Sequence, residues 1–517
     1  MLITRRDAVL GAGMATAALT MGHKADAQAR RILIIGSNAE ITSFDPHTWV
    51  TYSASFMLRN LYDGLVKVEG TPPQPTPNLA TSWSVSPDGR EYTFKLDPVA
   101  TFQDGTPVTA EDVRYSFNRL TRLNRGSSWM VAGLIDDKSV VAEDPHTVQI
   151  TLKKPFAPFL HVLPWQAIVN SKLVEEHKAN DDGQAWLMGN PAASGSFKLR
   201  RAEAGNLWEF ERRSDDWRKG GGNLAGAIWK FVRESTSQRL ALQRGELHIA
   251  CDLSSEDMDA LKGKAGVVEI IEPEYRTFSI KMNTENRALK DVNLRRAISY
   301  AYNYQGMLDA AGYGKVMTGP LPDGIFGQNP KLDVYRTDPA KAKEYLAKAT
   351  LPEGRLKLTA AYVAGLESER RYLLVLLDSL RTLNIDLDIK AMGWTDMVAS
   401  ARSPQTVADF FCVYQTANFA DPDNIAFATY HSSRNGGWQN PVYHNPEVDK
   451  LIESGRSESD PAKRAAIYEK FQELVVADAP DIFGVLESRK LALRSDVKNY
   501  HFIPIAANAI DLFPLSL

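Results

Sequence analysis

Three times in the second half of the chain, an Asp or Asn is followed directly by Pro and then by a helix-patterned stretch: Asp338-Pro339, Asn445-Pro446 and Asp460-Pro461. A short polar side chain accepts from the free N–H groups of a first helical turn, and Pro fits there because its missing N–H would have no partner anyway. Behind the last of these caps, Ile467, Phe471, Leu474 and Val475 return at helical spacing. Residues 369–383 form another such helix and run into Ile385-Asp386-Leu387-Asp388-Ile389, which alternates like a half-buried strand. Helices alternating with strands cover a sheet, so this half is expected to be an α/β lobe. Asp291 caps one more expected helix, whose Leu294, Ala297, Ile298, Ala301 and Leu308 share a stripe.

The first half reads differently. Residues 31–36 form a short buried strand, residues 53–66 a helix, and Pro72, Pro73, Pro75 and Pro77 an extended connector. Hairpins follow at 82–96, around Ser86-Pro87-Asp88-Gly89, and at 140–152, around Asp144-Pro145. Thr109 caps a helix with Asp112 three residues on. Strands at 197–200, 208–212 and 228–233 lead to a helix at 237–245. A chain of 517 residues exceeds what one core holds, so two or three lobes are expected.

Residues 1–29 have the layout of an export signal: Arg5 and Arg6, an apolar run over 9–21, and small-residue cleavage sites that end the signal near Ala27 or Ala29. The paired arginines after Thr4 make it twin-arginine-like, although Ala8 departs from that pattern and a Sec route stays open. No later window is long and apolar enough for a membrane span, so no stable membrane insertion is expected. A formal net charge of −3 gives no footprint for nucleic acid.

The sequence carries no HExxH, GxSxG or GxxxxGK[ST] motif, and its nine His show no i, i+4 pair for a metal. Gly220-Gly221-Gly222-Asn223-Leu224-Ala225 matches a dinucleotide pattern but follows charged residues instead of an apolar strand. No catalytic residue, metal or cofactor is therefore assigned. The two cysteines, Cys251 and Cys412, fit either a disulfide or two buried thiols.

Chemistry concentrates in residues 410–448, a strand-like run breaking into a long polar loop. There Asp421 and Asp423 bracket Pro422 among Tyr414, Phe419, Phe427, Tyr430, Trp438 and Tyr443. Carboxylates fixed among apolar faces suit capture of a cationic group with an apolar remainder. A plain surface turn is the alternative.

Residues 79–120, LATSWSVSPDGREYTFKLDPVATFQDGTPVTAEDVRYSFNRL, resemble the signature of the extracytoplasmic solute-binding proteins of family 5, the peptide- and nickel-binding group serving ABC importers. Phe44-Asp45-Pro46-His47, residues 60–65, Ser194-Gly195-Ser196-Phe197, residues 243–249, residues 291–302 and residues 449–481 resemble further family segments in the same order. The resemblance implies an α/β, two-lobed periplasmic-binding-protein fold (type II, cluster C), with an extra subdomain and the ligand cleft between the lobes. It divides the chain into lobe I (30–70, 191–277 and a return over 489–517), the extra subdomain (71–190) and lobe II (278–488). It also implies a monomeric periplasmic receptor that hands a small peptide or related solute to separate permease and ATPase subunits. An extracytoplasmic hydrolase, or a solute sensor without transport, is the alternative. Ala420-Asp421-Pro422-Asp423-Asn424 resembles the loop whose Asp pairs with a peptide ammonium in dipeptide-binding members, which gives Asp421 that role, and Trp394 stands where a ligand-packing Trp is found. Trp438 is expected as a second cleft wall, and Ser37, Asn38, Tyr414 and Asn418 as polar groups at strand ends near the lobe junction.

Overall fold

The computed structural model describes residues 31–48, 53–505 and 510–517; the export segment expected over 1–29 lies outside the described residues. Its centre is one mixed sheet of eleven strands. From one edge the order is Asp386–Met392, Lys357–Val363, Phe410–Thr416, Val267–Met282, Asp481–Arg494, Ile249–Ala250, Ile32–Ser37, Gly226–Phe231, Leu207–Arg212 and Phe197–Glu203, with Gly314–Val316 paired onto Asp481–Arg494.

Two long neighbours, Val267–Met282 and Asp481–Arg494, run antiparallel through the middle and carry the sheet from one apolar core to another. The first core gathers Leu33, Phe56, Phe94, Phe117, Trp208 and Trp229 with Leu491 and Leu493. The second gathers Phe278, Ile280, Tyr302, Leu376 and Phe471 with Ile482, Phe483 and Val485. Each long strand thus belongs to both lobes, and the handover falls where their pairing breaks. Pro273 is opposite Ser488 and Thr277 is opposite Leu486, so residues 274–276 face the single residue Glu487. Such a bulge leaves backbone groups outside the ladder and turns the strand. Here the freed groups go elsewhere: Tyr275 N donates to Pro504 O at 2.8 Å, and Tyr275 O accepts from Ala417 N at 2.8 Å.

The first lobe carries a separate four-stranded sheet, ordered Ala80–Val85, Glu91–Leu96, Thr147–Thr151 and Val140–Asp144. Helix Ala110–Leu123 opens with a reciprocal capping box between Thr109 and Asp112. It presents Arg119, fully buried, to Asp45 through two bonds of 2.7 and 2.9 Å, with His47 at 3.0 Å. Burial, reinforced by the Arg119 charge, lowers the His47 pKa to about 4. Gly195 passes so close to the helix Ser53–Leu61 that a Cβ there would sit 2.5 Å from Asn60 O.

Asp338, Asn445 and Asp460 each cap their helix with Pro in the first turn. Three expectations are corrected. The helix begun at Asp291 stops at Ala301, and Asn303 caps a second helix, Tyr304–Ala311. The proline-rich connector pairs as a strand, Gln74–Pro77, with Val66–Glu69, so the helix expected over 53–66 ends at Leu61. The polar loop after Thr416 contains the helix Asp423–Tyr430, seven of whose eight residues are buried; a two-sided packing site needs apolar and small residues all round, which a loop reading overlooks. Cys251 and Cys412 are both free and buried, one in each core.

Candidate functional site

Where the lobes meet, they enclose a cavity of about 500 Å³. The first lobe contributes Trp129, Met130, Lys154 and Phe156; the second contributes Thr416, Asn418, Asp423, Phe427, Arg434, Trp438 and Arg456. Strand Phe410–Thr416 ends at the cavity, and the next residues cross to the opposite lobe. Trp165 Nε1 donates to Asn418 O at 2.7 Å, and Phe419 packs into the first lobe's core 6.5 Å from Trp129. Arg456 makes the reciprocal crossing: its carbonyl accepts from Ala157 N at 2.8 Å, and its guanidinium lies 5.1 Å from the Phe156 ring. The same guanidinium stacks 3.8 Å from the Phe427 centroid, so an aromatic face and a cation form one wall.

Asp423 is the acid of this cavity. It is 3 % exposed, Oδ1 is 3.2 Å from Arg456 Nε without hydrogen-bond geometry, and that oxygen has no hydrogen-bond partner among the described residues. Burial raises its pKa to about 7, against Arg456 and with help from Asp421.

Asp421 is corrected. Its two oxygens accept from Arg464 Nη1 and Nη2, each at 2.7 Å, and it is 1 % exposed. Burial works against its charge, yet Arg464 holds the carboxyl below its ordinary range. A ligand ammonium would have to displace a bidentate guanidinium, so Asp421 orders the loop from behind and does not line the cavity. Asn418 and Trp438 do line it. Trp394, 50 % exposed, stacks edge-on against Trp438 at 5.3 Å and forms the rim.

Ser37, Asn38 and Tyr414 are gathered in a second group, at the bulge of the long strands. Ser37 Oγ and Asn38 N donate to Asp252 Oδ2 at 2.7 and 2.9 Å, and the other Asp252 oxygen is 3.7 Å from Arg489. Tyr414 OH donates to Glu487 Oε1 at 2.8 Å, and Arg276 sits 4.6 Å over the Tyr414 ring and 3.6 Å from Glu487. Arg276 is in register with Thr416, which lines the cavity, so this charged group adjoins the cavity's inner wall. Asp252, Glu274, Arg276, Glu487 and Arg489 were not singled out from the sequence; their charges lie inside strand-like runs with no local motif. Placement of charged residues on both long strands at one level is the one signal that pairing register could have supplied.

A crevice closed by two lobes on shared strands, with groups of both charge signs and aromatic faces inside, defines a two-lobed solute-binding protein. The chain belongs to the bacterial extracellular solute-binding proteins, family 5, whose middle region matches residues 74–437. It is 31% identical over 503 residues to the probable D,D-dipeptide-binding periplasmic protein DdpA of Escherichia coli, covering 94% of each chain. It is 25% identical to the dipeptide-binding protein DppE of Bacillus subtilis, covering 89% of this chain and 87% of that one. Among solved structures, the substrate-binding protein CtaP of Listeria monocytogenes superposes with a TM-score of 0.83 at 26% identity, over 94% of this chain and 99% of that one. DppA of Helicobacter pylori, in complex with the peptide STSA, shares the fold with a TM-score of 0.78 at 23% identity, over 94% and 98%. These relatives are binding proteins by name. No described helix is long and apolar enough to cross a membrane.

Proposed function

We propose that this protein is the periplasmic receptor of an ABC importer and captures a short peptide in the cavity between its lobes. One observation carries the reading: the cavity sets one acid, Asp423, against the cations Lys154, Arg434 and Arg456 between aromatic faces. A zwitterion with apolar side chains matches that arrangement, since each terminus meets an opposite charge and the middle meets carbon. In this reading Asp423 takes the ammonium, Arg434 or Lys154 the carboxylate, and Trp438 with Trp394 covers the side chains. The peptide-binding names of the relatives support it.

No bond is made or broken. Ligand contacts on both lobes favour the closed form, and the closed form is what the permease reads. Export through the segment over residues 1–29, cleavage near Ala27 or Ala29, a monomeric state, and permease and ATPase chains as partners complete the proposal. Titration calorimetry against a panel of di- and tripeptides tests it. A stoichiometry of one, with affinity reduced at least tenfold in Asp423→Asn, is the expected result. Absence of heat and of thermal stabilisation across the panel would refute it.

A further inference from the structure

Glu274 stands apart from every other acid at the bulge. It is 3 % exposed, and it has no hydrogen-bond or ion-pair partner among the described residues. The nearby cations are engaged with other acids: Arg489 with Asp252 at 3.7 Å and Arg276 with Glu487 at 3.6 Å. Lys490, the next along the strand, reaches Ser255 Oγ at 3.3 Å. Glu369, which faces the same group from the second lobe, has one oxygen bound by Val363 N at 2.8 Å. A buried carboxylate without a partner is costly and is held only where something repays it. Burial raises the Glu274 pKa, against the fields of Arg489 and Arg276.

Its position says what would repay it. Glu274 precedes Tyr275, whose carbonyl holds Ala417, the residue before the cavity-lining Asn418. Arg276, two residues on, is in register with cavity-lining Thr416. The bulge that carries Glu274 therefore adjoins the wall that Thr416 and Asn418 give the cavity. Asp252 from the first lobe and Glu369 from the second act on the same charged group.

We propose that Glu274 receives a cationic side chain of the bound peptide, so that the preferred cargo carries a lysine- or arginine-like group in addition to its termini. This rests on the peptide reading above for the main chain of the ligand, and on Glu274 alone for the extra charge. A side-chain ammonium entering there would supply the missing partner, and the pair would form out of water, where a charge-assisted bond is strong.

Calorimetry on the full mature chain compares Ala-Lys with Ala-norleucine, which keeps the carbon stem and lacks the ammonium, and thermal shift adds cadaverine as a cation without a peptide group. The expected result is at least tenfold tighter binding of Ala-Lys than of Ala-norleucine. That ratio falls to within twofold in Glu274→Gln and survives in Glu272→Gln, an exposed neighbour on the same strand. If Glu274→Gln does not fold, Glu274→Asp decides: the shortened arm is expected to cut the Ala-Lys to Ala-norleucine ratio while affinity for Ala-norleucine stays within twofold of wild type. Equal affinity for the two peptides, or a ratio that survives in Glu274→Gln, overturns the inference and leaves the peptide reading intact. Glu274-dependent stabilisation by cadaverine without any peptide binding leaves Glu274 as a cation site but overturns the peptide reading and, with it, the cargo inference; silence from all three probes overturns the inference.

Discussion

Asp421 and Asp423 stand two residues apart and answer opposite demands. Asp421 is paired on both oxygens with Arg464, so its removal strands a buried guanidinium. Asp421→Asn is expected to destabilise the fold by about 3–5 kcal/mol, read as a lowered midpoint in denaturant unfolding at unchanged slope. Asp423, with its pKa near 7, titrates in the working range. An ammonium ligand needs the ionised form, so affinity is expected to rise with pH and level off above about 7. Calorimetry from pH 5 to 8 checks this, and a flat profile would remove Asp423 from the ammonium role. His47 sets an acid limb for stability. Its folded pKa near 4 lies below the unfolded value of 6.5, so the unfolded chain binds the proton first. Stability is then complete above about 6.5 and is lost as the pH falls towards 4. Urea midpoints measured between pH 7 and 4 should fall in step, and His47→Gln should flatten that fall.

At the scale of single elements, caps and periodicity carried most of what could be read in the chain. Thr109 with Asp112, and Asp or Asn with Pro, are local signals whose partners sit within three residues, so position alone reveals them. The break at Tyr302 was hidden because the stripe from Leu294 to Leu308 stays in phase across it; the one cue is Asn303, whose side chain accepts from Gly306 N at 2.9 Å. Asn303→Ala is expected to cost about 1 kcal/mol, measured by thermal unfolding. The site was legible only in part for the same reason. Asn418 and Trp438 lie in the stretch that its aromatics mark, whereas Arg464, 43 positions after Asp421, and Glu274 act through contacts that only the folded chain brings together. A carboxylate in sequence shows its charge but not its partner, so position alone does not separate Asp421, paired with Arg464, from Asp423, whose Oδ1 has no hydrogen-bond partner among the described residues.

Across the whole molecule, the lobes share two strands and touch through a few side chains. Trp165 and Arg456 cross the cavity in opposite directions. Trp165→Phe keeps an aromatic face, trims the indole and deletes the donor to Asn418; the lost hydrogen bond alone should favour separation of the lobes by about 0.5–1.5 kcal/mol. Small-angle scattering of the unliganded protein should then show a larger radius of gyration than wild type, and peptide affinity should weaken two- to tenfold. Unchanged scattering and affinity would mean that this bond does not bias the lobes.

Phe419 gives that bias a second source. It grows from the loop of one lobe yet is only 2% exposed in the core of the other. Separating the lobes must draw an aromatic ring out of carbon into water, a penalty of roughly 1.5–3 kcal/mol if it becomes fully exposed. An empty receptor would then rest mostly shut, and cargo would enter during brief excursions. Binding would be slow to begin and slow to end, because each passage waits for the stopper to be drawn out.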